Sequence, residues 1–175
     1  MMDKLVAEFP EQLRRAVAIG KNIQLRPLKT VPTHVIVAGM GGSGIGANFV
    51  AAMVQADLSI PYLVCKGYEL PQFVGKNSLF IASSYSGNTE ETLLCLQTAY
   101  ERGAHIICIA SGGKIIDFAR EHDIDYILLP NEGAPPRACL GFSLVQQIAI
   151  LQQLGFISDE YTQDILNSAL LLEAE

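Results

Sequence analysis

Short apolar runs alternate with helical patterns over most of the chain. Five of the runs are nearly continuous in apolar residues, as expected of parallel strands that helices cover on both faces. These predicted strands are residues 34–38, 60–66, 78–83, 105–110 and 124–129. Helical segments between them are predicted at residues 45–55, 89–102 and 115–122. The repeated strand–helix–strand order predicts an α/β fold, a three-layer αβα sandwich around a five-stranded parallel sheet.

Helical patterns also flank this alternation at both ends of the chain. Before it, the pattern predicts a short first turn, a helix from about residue 10 that Gly20 closes, and a linker with two prolines. After it come a long apolar helix and a last, shorter one, at residues 138–154 and 159–172. We therefore divide the chain into an N-terminal helix and linker, a central domain and a C-terminal helix, at residues 1–32, 33–157 and 158–175.

The apolar faces of the last two helices have two possible uses. Residues 138–154 and 170–172 can close the domain's own core or cover a partner's surface. The sequence also stops inside a helical pattern that has no stop signal. We therefore expect either a longer natural chain with a second half or a homodimer.

Composition narrows the classes of partner. The chain has 175 residues, of which half are hydrophobic and 17% charged, enough for one well-packed domain. Its formal charge is -6 and it contains no run rich in lysine and arginine, which argues against nucleic acid or an anionic membrane as partner. No apolar run is long enough to span a bilayer, and the Met1-Met2-Asp3 start does not resemble a signal peptide. We expect a cytoplasmic protein.

Cysteines and histidines are scattered rather than paired. The cysteines lie far apart among apolar neighbours and predict reduced core thiols, at Cys65, Cys95, Cys108 and Cys139. The histidines begin strands or precede them, at His34, His105 and His122. The sequence therefore predicts no metal site, and it places the histidines at the sheet edge opposite the loops that follow the strands.

The turn after the third strand gathers polar groups around a glycine. Hydroxyls at Ser84, Ser86 and Thr89 surround Gly87 where a helix begins. The first backbone N–H groups of a helix and its positive dipole end bind anions. Simple helix capping, with Asn88 as the N-cap and Glu91 completing a capping box, needs only one such side chain. We therefore predict that the turn binds a phosphate.

The loop after the first strand contains a glycine pattern, G-x-G-x-x-G, which is typical of dinucleotide-binding sites. Such sites also require an acidic residue about 20 positions on, where this chain has Lys66. A lysine would suit a 2′-phosphate, so a nicotinamide site stays open. The serine-rich turn would also suit a flavin phosphate, although flavodoxin-like sites place that loop after the first strand and not the third.

A phosphorylated small molecule explains both loops together. Gly41 and Gly42 let the backbone approach a ligand closely, and Ser43 adds a hydroxyl. The turn with Ser84, Ser86 and Thr89 would hold the phosphate. The ligand would then lie across the cleft between the first and third strands.

Three separated motifs carry a specific resemblance. They are GMGGSGIG at residues 39–46, SYSGNTEET at residues 84–92 and PPRACLGF at residues 135–142. Together they resemble the sugar isomerase (SIS) domain family, above all the N-terminal half of bifunctional phosphoglucose/phosphomannose isomerases. The resemblance covers about residues 30 to 155 and implies a flavodoxin-like strand order, 2-1-3-4-5.

The resemblance implies an aldose–ketose isomerase. It would interconvert glucose 6-phosphate or mannose 6-phosphate with fructose 6-phosphate through an enediolate, without metal or cofactor. Ser84, Ser86 and Thr89 would bind the phosphate of the hexose 6-phosphate, and residues 41–43 would line the sugar. Arg137 would stabilise the charge that develops on the substrate, unless it is a surface arginine paired with Glu132.

A catalytic base is not evident in this sequence. In the enzymes that the chain resembles, the catalytic glutamate and histidine come from a second SIS half. The alternatives are therefore a tandem or homodimeric isomerase and a binding-only SIS module that senses a phosphosugar.

Overall fold

The computed structural model describes residues 2–174, which form a five-stranded parallel sheet with helices on both faces. The strand order is β2-β1-β3-β4-β5. The strands are β1 His34–Ala38, β2 Tyr62–Cys65, β3 Ser78–Ser83, β4 His105–Ala110 and β5 Asp125–Leu128. The predicted α/β sandwich and the strand order 2-1-3-4-5 are both confirmed.

Seven α-helices and one short 3₁₀ helix accompany the described strands. They are α1 Met2–Ala7, α2 Phe9–Asn22, α3 Gly41–Val54, α4 Glu90–Glu101, α5 Gly113–Glu121, the 3₁₀ helix Pro136–Cys139, α6 Leu140–Gln153 and α7 Glu160–Glu173. Helices α3 and α6 cover one face of the sheet, with α2 and α7 packed outside α6, while α4 and α5 cover the other face.

Alternate strand residues enter two separate apolar cores. In β1, Val35 and Val37 face the core under α3 and α6, whereas Ile36 faces the core under α4 and α5. All six residues of β3 are buried. Because both faces are covered, the central strands are continuous in apolar residues, which is why the sequence marks them clearly.

Helix α6 closes the chain's own core. Nine of its residues are buried, including Phe142, Ile148 and Ile150, and it packs against both α2 and α3. Near the end of α7, however, Leu170 and Leu171 remain 60% and 71% exposed. Of the two uses expected for these apolar helices, α6 therefore serves the core, whereas the end of α7 leaves apolar side chains exposed.

The prediction that Gly20 ends the first long helix is wrong. Helix α2 continues to Asn22, and Gly20 lies inside it against α6. A Cβ atom at this position would lie 2.8 Å from the Cβ of Ala149. The glycine therefore allows two helices to approach closely, and that packing outweighs its weak tendency to stop a helix.

The four cysteines are free thiols, as the sequence predicts. Cys95, Cys108 and Cys139 are buried, whereas Cys65 is partly exposed. Burial raises the pKa of the Cys95 and Cys108 thiols to about 12. These two side chains therefore stay protonated and act as core residues.

Two histidines make stability depend on pH. Burial lowers the pKa of His34 and of His105 below the ordinary value of 6.5. As pH falls through 6.5 the unfolded chain takes up these protons before the folded chain does, so the unfolding free energy decreases. Urea unfolding between about pH 7.5 and about pH 5.5 will show a smaller decrease in a His34→Gln/His105→Gln variant than in the wild type. Carboxylates titrate in both proteins, so an unchanged difference between the two pH values would contradict this assignment.

Candidate functional site

The turn between β3 and α4 is held by its own hydroxyl groups. The hydroxyls of Ser84 and Thr89 are hydrogen-bonded to each other at 2.8 Å. The backbone N–H of Gly87 donates to Ser84 Oγ at 3.2 Å, and that of Asn88 donates to Ser86 Oγ at 3.3 Å. Ser84 is buried, Thr89 half-buried and Ser86 exposed. The three predicted hydroxyls therefore share one compact turn, and Ser86 is the most accessible of them.

The predicted N-cap role of Asn88 is wrong. Thr89 is the N-cap residue of α4, and no side chain among residues 2–174 accepts from its first turn as a cap. Asn88 instead accepts a hydrogen bond from the Lys114 backbone N–H at 3.1 Å and donates to the Ser86 carbonyl at 3.2 Å. The capping box with Glu91 is also wrong, since the Asn88 N–H donates to Ser86. The first turn of α4 thus keeps N–H groups that can bind an anion.

The glycine-rich segment after β1 is the start of a helix and not only a loop. Helix α3 begins at Gly41, four residues before the predicted start, because the sequence pattern becomes apolar only at Ile45. Gly41 adopts φ +50°, a left-handed conformation that favours glycine, and has open space where a side chain would lie. Gly42 and Ser43 therefore lie in the first turn of α3, with Ser43 buried.

Two glycines of the G-x-G-x-x-G pattern serve packing within the chain. A Cβ atom on Gly39 would lie 2.9 Å from the Ser83 carbonyl oxygen, at the end of β3. A Cβ atom on Gly44 would lie 2.5 Å from the Gly39 carbonyl oxygen. The tight turn thus brings the end of β1 against the end of β3, and these two glycines need no dinucleotide to explain them.

Arg137 lies beside the first glycine loop. A Cβ atom on Gly42 would lie 3.4 Å from Arg137 Cα and 3.2 Å from the Pro136 carbonyl oxygen. Arg137 is exposed and forms no ion pair with any residue in the described part of the chain. Glu132, its expected alternative partner, pairs instead with Arg15. The arginine is therefore available for a ligand.

The loops after β3 and β4 interlock. The Ile115 N–H donates to the Gly87 carbonyl at 3.0 Å, and the Ser111 N–H donates to the Tyr85 carbonyl at 2.8 Å. A Cβ atom on Gly87 would lie only 1.8 Å from the Gly112 carbonyl oxygen. The loop after β4 therefore fixes the shape of the serine-rich turn.

Tyr85 is a site residue that sequence reasoning missed. Its hydroxyl donates to the Pro130 carbonyl at 2.8 Å and accepts from the Glu132 N–H at 3.3 Å. Burial raises the pKa of Tyr85 to about 12, so the phenol remains a neutral donor. It ties the serine-rich turn to the loop that carries Arg137. The sequence did contain a sign of this role. Every second residue from Ile81 through Ser83 points into the core, and Tyr85 continues that pattern beyond the end of the strand.

Candidate bases do not converge on these loops among residues 2–174. His34 and His105 begin β1 and β4, so they lie at the opposite edge of the sheet, as predicted. Glu132 is paired with Arg15, and Glu91 lies close enough to the Tyr68 phenol to raise its pKa. The arrangement can bind an anion and stabilise developing negative charge.

None of the helices within residues 2–174 has both the length and the apolar character needed to cross a membrane.

Comparison with known proteins agrees with this geometry. A family model described as the SIS domain matches residues 30–155. A bifunctional phosphoglucose/phosphomannose isomerase from Caldicellulosiruptor bescii is 42% identical over 156 residues, which are 89% of this chain and 46% of that protein. The chain thus spans about half the length of the curated relatives it matches.

Solved structures show the same fold at low sequence identity. The C-terminal domain of glucosamine-fructose-6-phosphate aminotransferase from Francisella tularensis superposes with a TM-score of 0.75 at 19% identity, covering 97% of this chain and 54% of that one. Tagatose-6-phosphate ketose/aldose isomerase from Escherichia coli gives 0.66 at 15% identity, over 98% and 52%. The family model and the identity to the curated relative together show that this chain belongs to the SIS domain family.

Proposed function

We propose that this chain supplies the phosphosugar site of an aldose–ketose isomerase that interconverts glucose 6-phosphate or mannose 6-phosphate with fructose 6-phosphate. The observation that carries the proposal is the meeting of three elements at one edge of the sheet. These are the hydroxyl-rich turn at the start of α4, the open first turn of α3, and Arg137 beside it, where neither the helix start is capped by a side chain nor the arginine ion-paired within residues 2–174. The curated relative named above carries the same activity in its name.

The phosphate is assigned to the turn before α4. Ser86 and Thr89 can donate hydroxyl hydrogen bonds, and no described side chain caps the first backbone N–H groups of α4, which can bind an anion. Ser84 is buried and bonded to Thr89, so it orients that hydroxyl. The sugar then extends toward Gly41, Gly42 and Ser43, because β1 and β3 are neighbours in the sheet.

The isomerisation moves a proton between adjacent carbons. A base removes the proton on C2 of the aldose and negative charge develops on O1. A proton then passes from O2 to O1, which moves the charge of the enediolate to O2, and protonation at C1 gives the ketose. In the proposed role, the Arg137 guanidinium stabilises the enediolate oxygen, since a preorganised cation is most effective where charge develops. The base must come from outside the residues described.

We propose that a second SIS domain, in tandem or in a homodimer, supplies that base. The relatives are about twice as long as this chain. Helix α3 also leaves an exposed apolar stripe beside the site, with Ile45, Phe49 and Met53 at 49%, 53% and 37% exposure. A domain packed on this stripe would bring its residues to the first turn of α3.

We also propose a cytoplasmic location, since the four free thiols of this chain fit a reducing compartment.

A coupled assay tests the proposal. Fructose 6-phosphate should bind saturably, unphosphorylated fructose should not, and turnover to glucose 6-phosphate should appear with this chain or after the second domain is supplied. Saturable binding that never leads to turnover would favour the sensing module. An absence of phosphosugar binding would contradict both functions.

Removing two hydroxyls should weaken binding without unfolding the chain. We expect Ser86→Ala/Thr89→Ala to reduce the affinity for fructose 6-phosphate by about 1–3 kcal/mol, the value of two charge-assisted hydrogen bonds. Thr98→Ala, on the same helix, removes a hydroxyl that only bonds the Leu94 carbonyl and serves as the matched control. Isothermal titration calorimetry measures the affinity of both variants for fructose 6-phosphate. An affinity equal to that of the control would remove the turn from the site.

A further inference from the structure

A second cleft lies at the amino-terminal edge of the sheet, opposite the candidate phosphosugar site. Its volume is about 420 Å³, within the ~300–1,000 Å³ typical of small-molecule sites. The charged and titratable residues that line it come from four separate segments. They are Arg26, Lys29, Lys76, Tyr100, His105, Asp123 and Asp125.

Arg26 pairs with both acidic residues of the cleft. Its guanidinium contacts Asp123 Oδ1 at 2.8 Å and Asp125 Oδ1 at 3.1 Å, and its backbone N–H donates to Asp125 Oδ2 at 2.8 Å. Lys29 and Lys76 are exposed and form no ion pair with any residue from 2 to 174. The charged side chains of the cleft, three basic and two acidic, therefore leave it a formal charge of +1 in a chain whose net charge is -6.

His105 adds an unsatisfied donor or acceptor. Its Nε2 atom is inaccessible to solvent and has no hydrogen-bond partner among the described residues. Burial lowers its pKa, the positive charges of Lys29 and Arg26 lower it further, and Asp125 opposes them. The ring therefore favours the neutral form and leaves a buried nitrogen unpaired among the described residues.

We propose that this cleft binds a small multiply charged anion, a phosphate or polycarboxylate compound, between Lys29 and Lys76 and close to the buried imidazole of His105. Charge-assisted hydrogen bonds from ammonium groups to such oxygens are strong, and the two lysines form no ion pair with any residue from 2 to 174. The cleft is separate from the phosphosugar site. Strand β4 joins the two, because it begins at His105 and leads into the Ser111–Gly113 segment that contacts the serine-rich turn.

Binding should take up a proton. A bound anion favours the imidazolium form of His105 over the neutral form, so the contribution of His105 to the affinity should rise as pH falls from about 7.5 to about 6. The charged groups facing the ring are Arg26, Lys29 and Asp125, with Asp123, Lys76 and Tyr100 in the same cleft. Inorganic phosphate itself takes up a proton over this range, so the part of the slope due to His105 is the part that a His105→Gln variant loses.

Nuclear magnetic resonance of the three imidazole rings tests the proposal directly. Inorganic phosphate and citrate are titrated separately at constant ionic strength, with sodium chloride as the reference salt. We expect the His105 resonances to shift saturably with at least one of the two anions, while those of His34 and His122 report non-specific effects. Comparing the two anions shows whether the cleft prefers phosphate or carboxylate groups.

Variants separate this cleft from the phosphosugar site. Lys29→Ala/Lys76→Ala should weaken binding at His105 by about tenfold or more, whereas Lys21→Ala, an exposed lysine elsewhere, should change it less than about twofold. Ser86→Ala/Thr89→Ala should leave it unchanged. A His105 shift that does not saturate, that chloride reproduces, or that survives loss of both lysines would overturn the proposal, and so would its loss in the Ser86/Thr89 variant.

Discussion

Gly87→Ala should destabilise the fold by more than about 3 kcal/mol and abolish binding of fructose 6-phosphate. Gly87 adopts φ +70°, and a left-handed conformation costs a residue with a side chain about 1–2 kcal/mol. The added Cβ would also lie 1.8 Å from the Gly112 carbonyl oxygen, so the loops after β3 and β4 must separate. Their separation would break the hydrogen bond between the Ile115 N–H and the Gly87 carbonyl.

Gly133→Ala is the matched control for this substitution. Gly133 adopts a similar φ of +65°, yet nothing lies within 4 Å of the position that its Cβ would take. Gly133→Ala should therefore lower the free energy of unfolding only by the cost of the left-handed conformation, about 1–2 kcal/mol. Urea unfolding of the two variants isolates the steric contribution of the interlocked loops. Equal losses of stability would mean that the loops after β3 and β4 can move apart at little cost.

The central strands could be predicted from the sequence because burial on both faces leaves a continuous apolar run. The bounds of β1, β3 and β4 agree with the prediction at both ends. The edge strands β2 and β5 are shorter than predicted, since each pairs on one side only and is partly exposed. Hydrophobic pattern thus marks a strand more reliably than it marks where pairing stops.

Local rules failed where another loop competes for the same groups. Asn88 has the right chemistry for an N-cap, but its side-chain oxygen accepts from the backbone N–H of Lys114, in the first turn of α5. That partner is distant in sequence, and no local pattern could reveal it. The early start of α3 has the same origin, because the packing of its glycine-rich first turn against the 3₁₀ helix depends on a segment far along the chain.

The candidate site could be located from sequence, but its internal pairings could not. Parallel topology alone places the loops after β1, β3 and β4 at one edge. The ion pairs formed near these loops cannot be read from the topology, because one of them joins Glu132 to Arg15 of helix α2. This ion pair leaves Arg137 without its nearest acidic partner in sequence, and it changes the arginine from a surface charge into a candidate catalytic group.

The second large effect that we expect is the loss of isomerase activity on substitution of Arg137. Arg137→Lys should lower kcat for conversion of fructose 6-phosphate to glucose 6-phosphate by about 10²–10³-fold in the assembly that turns over. A lysine keeps the charge but not the planar pair of donors that matches two adjacent enediolate oxygens. Because those oxygens become charged only in the transition state, KM should change by less than about threefold.

Arg15→Lys provides the control for charge and location. Arg15 lies at the same edge of the sheet, but its guanidinium is engaged by Glu132 and stacks on Phe142 at 5.5 Å. This variant should keep kcat within about threefold, since the paired arginine does not face the substrate. Steady-state kinetics of both variants in the coupled assay decide the matter. A rise in KM with unchanged kcat for Arg137→Lys would move the arginine from stabilising the enediolate to binding the phosphate.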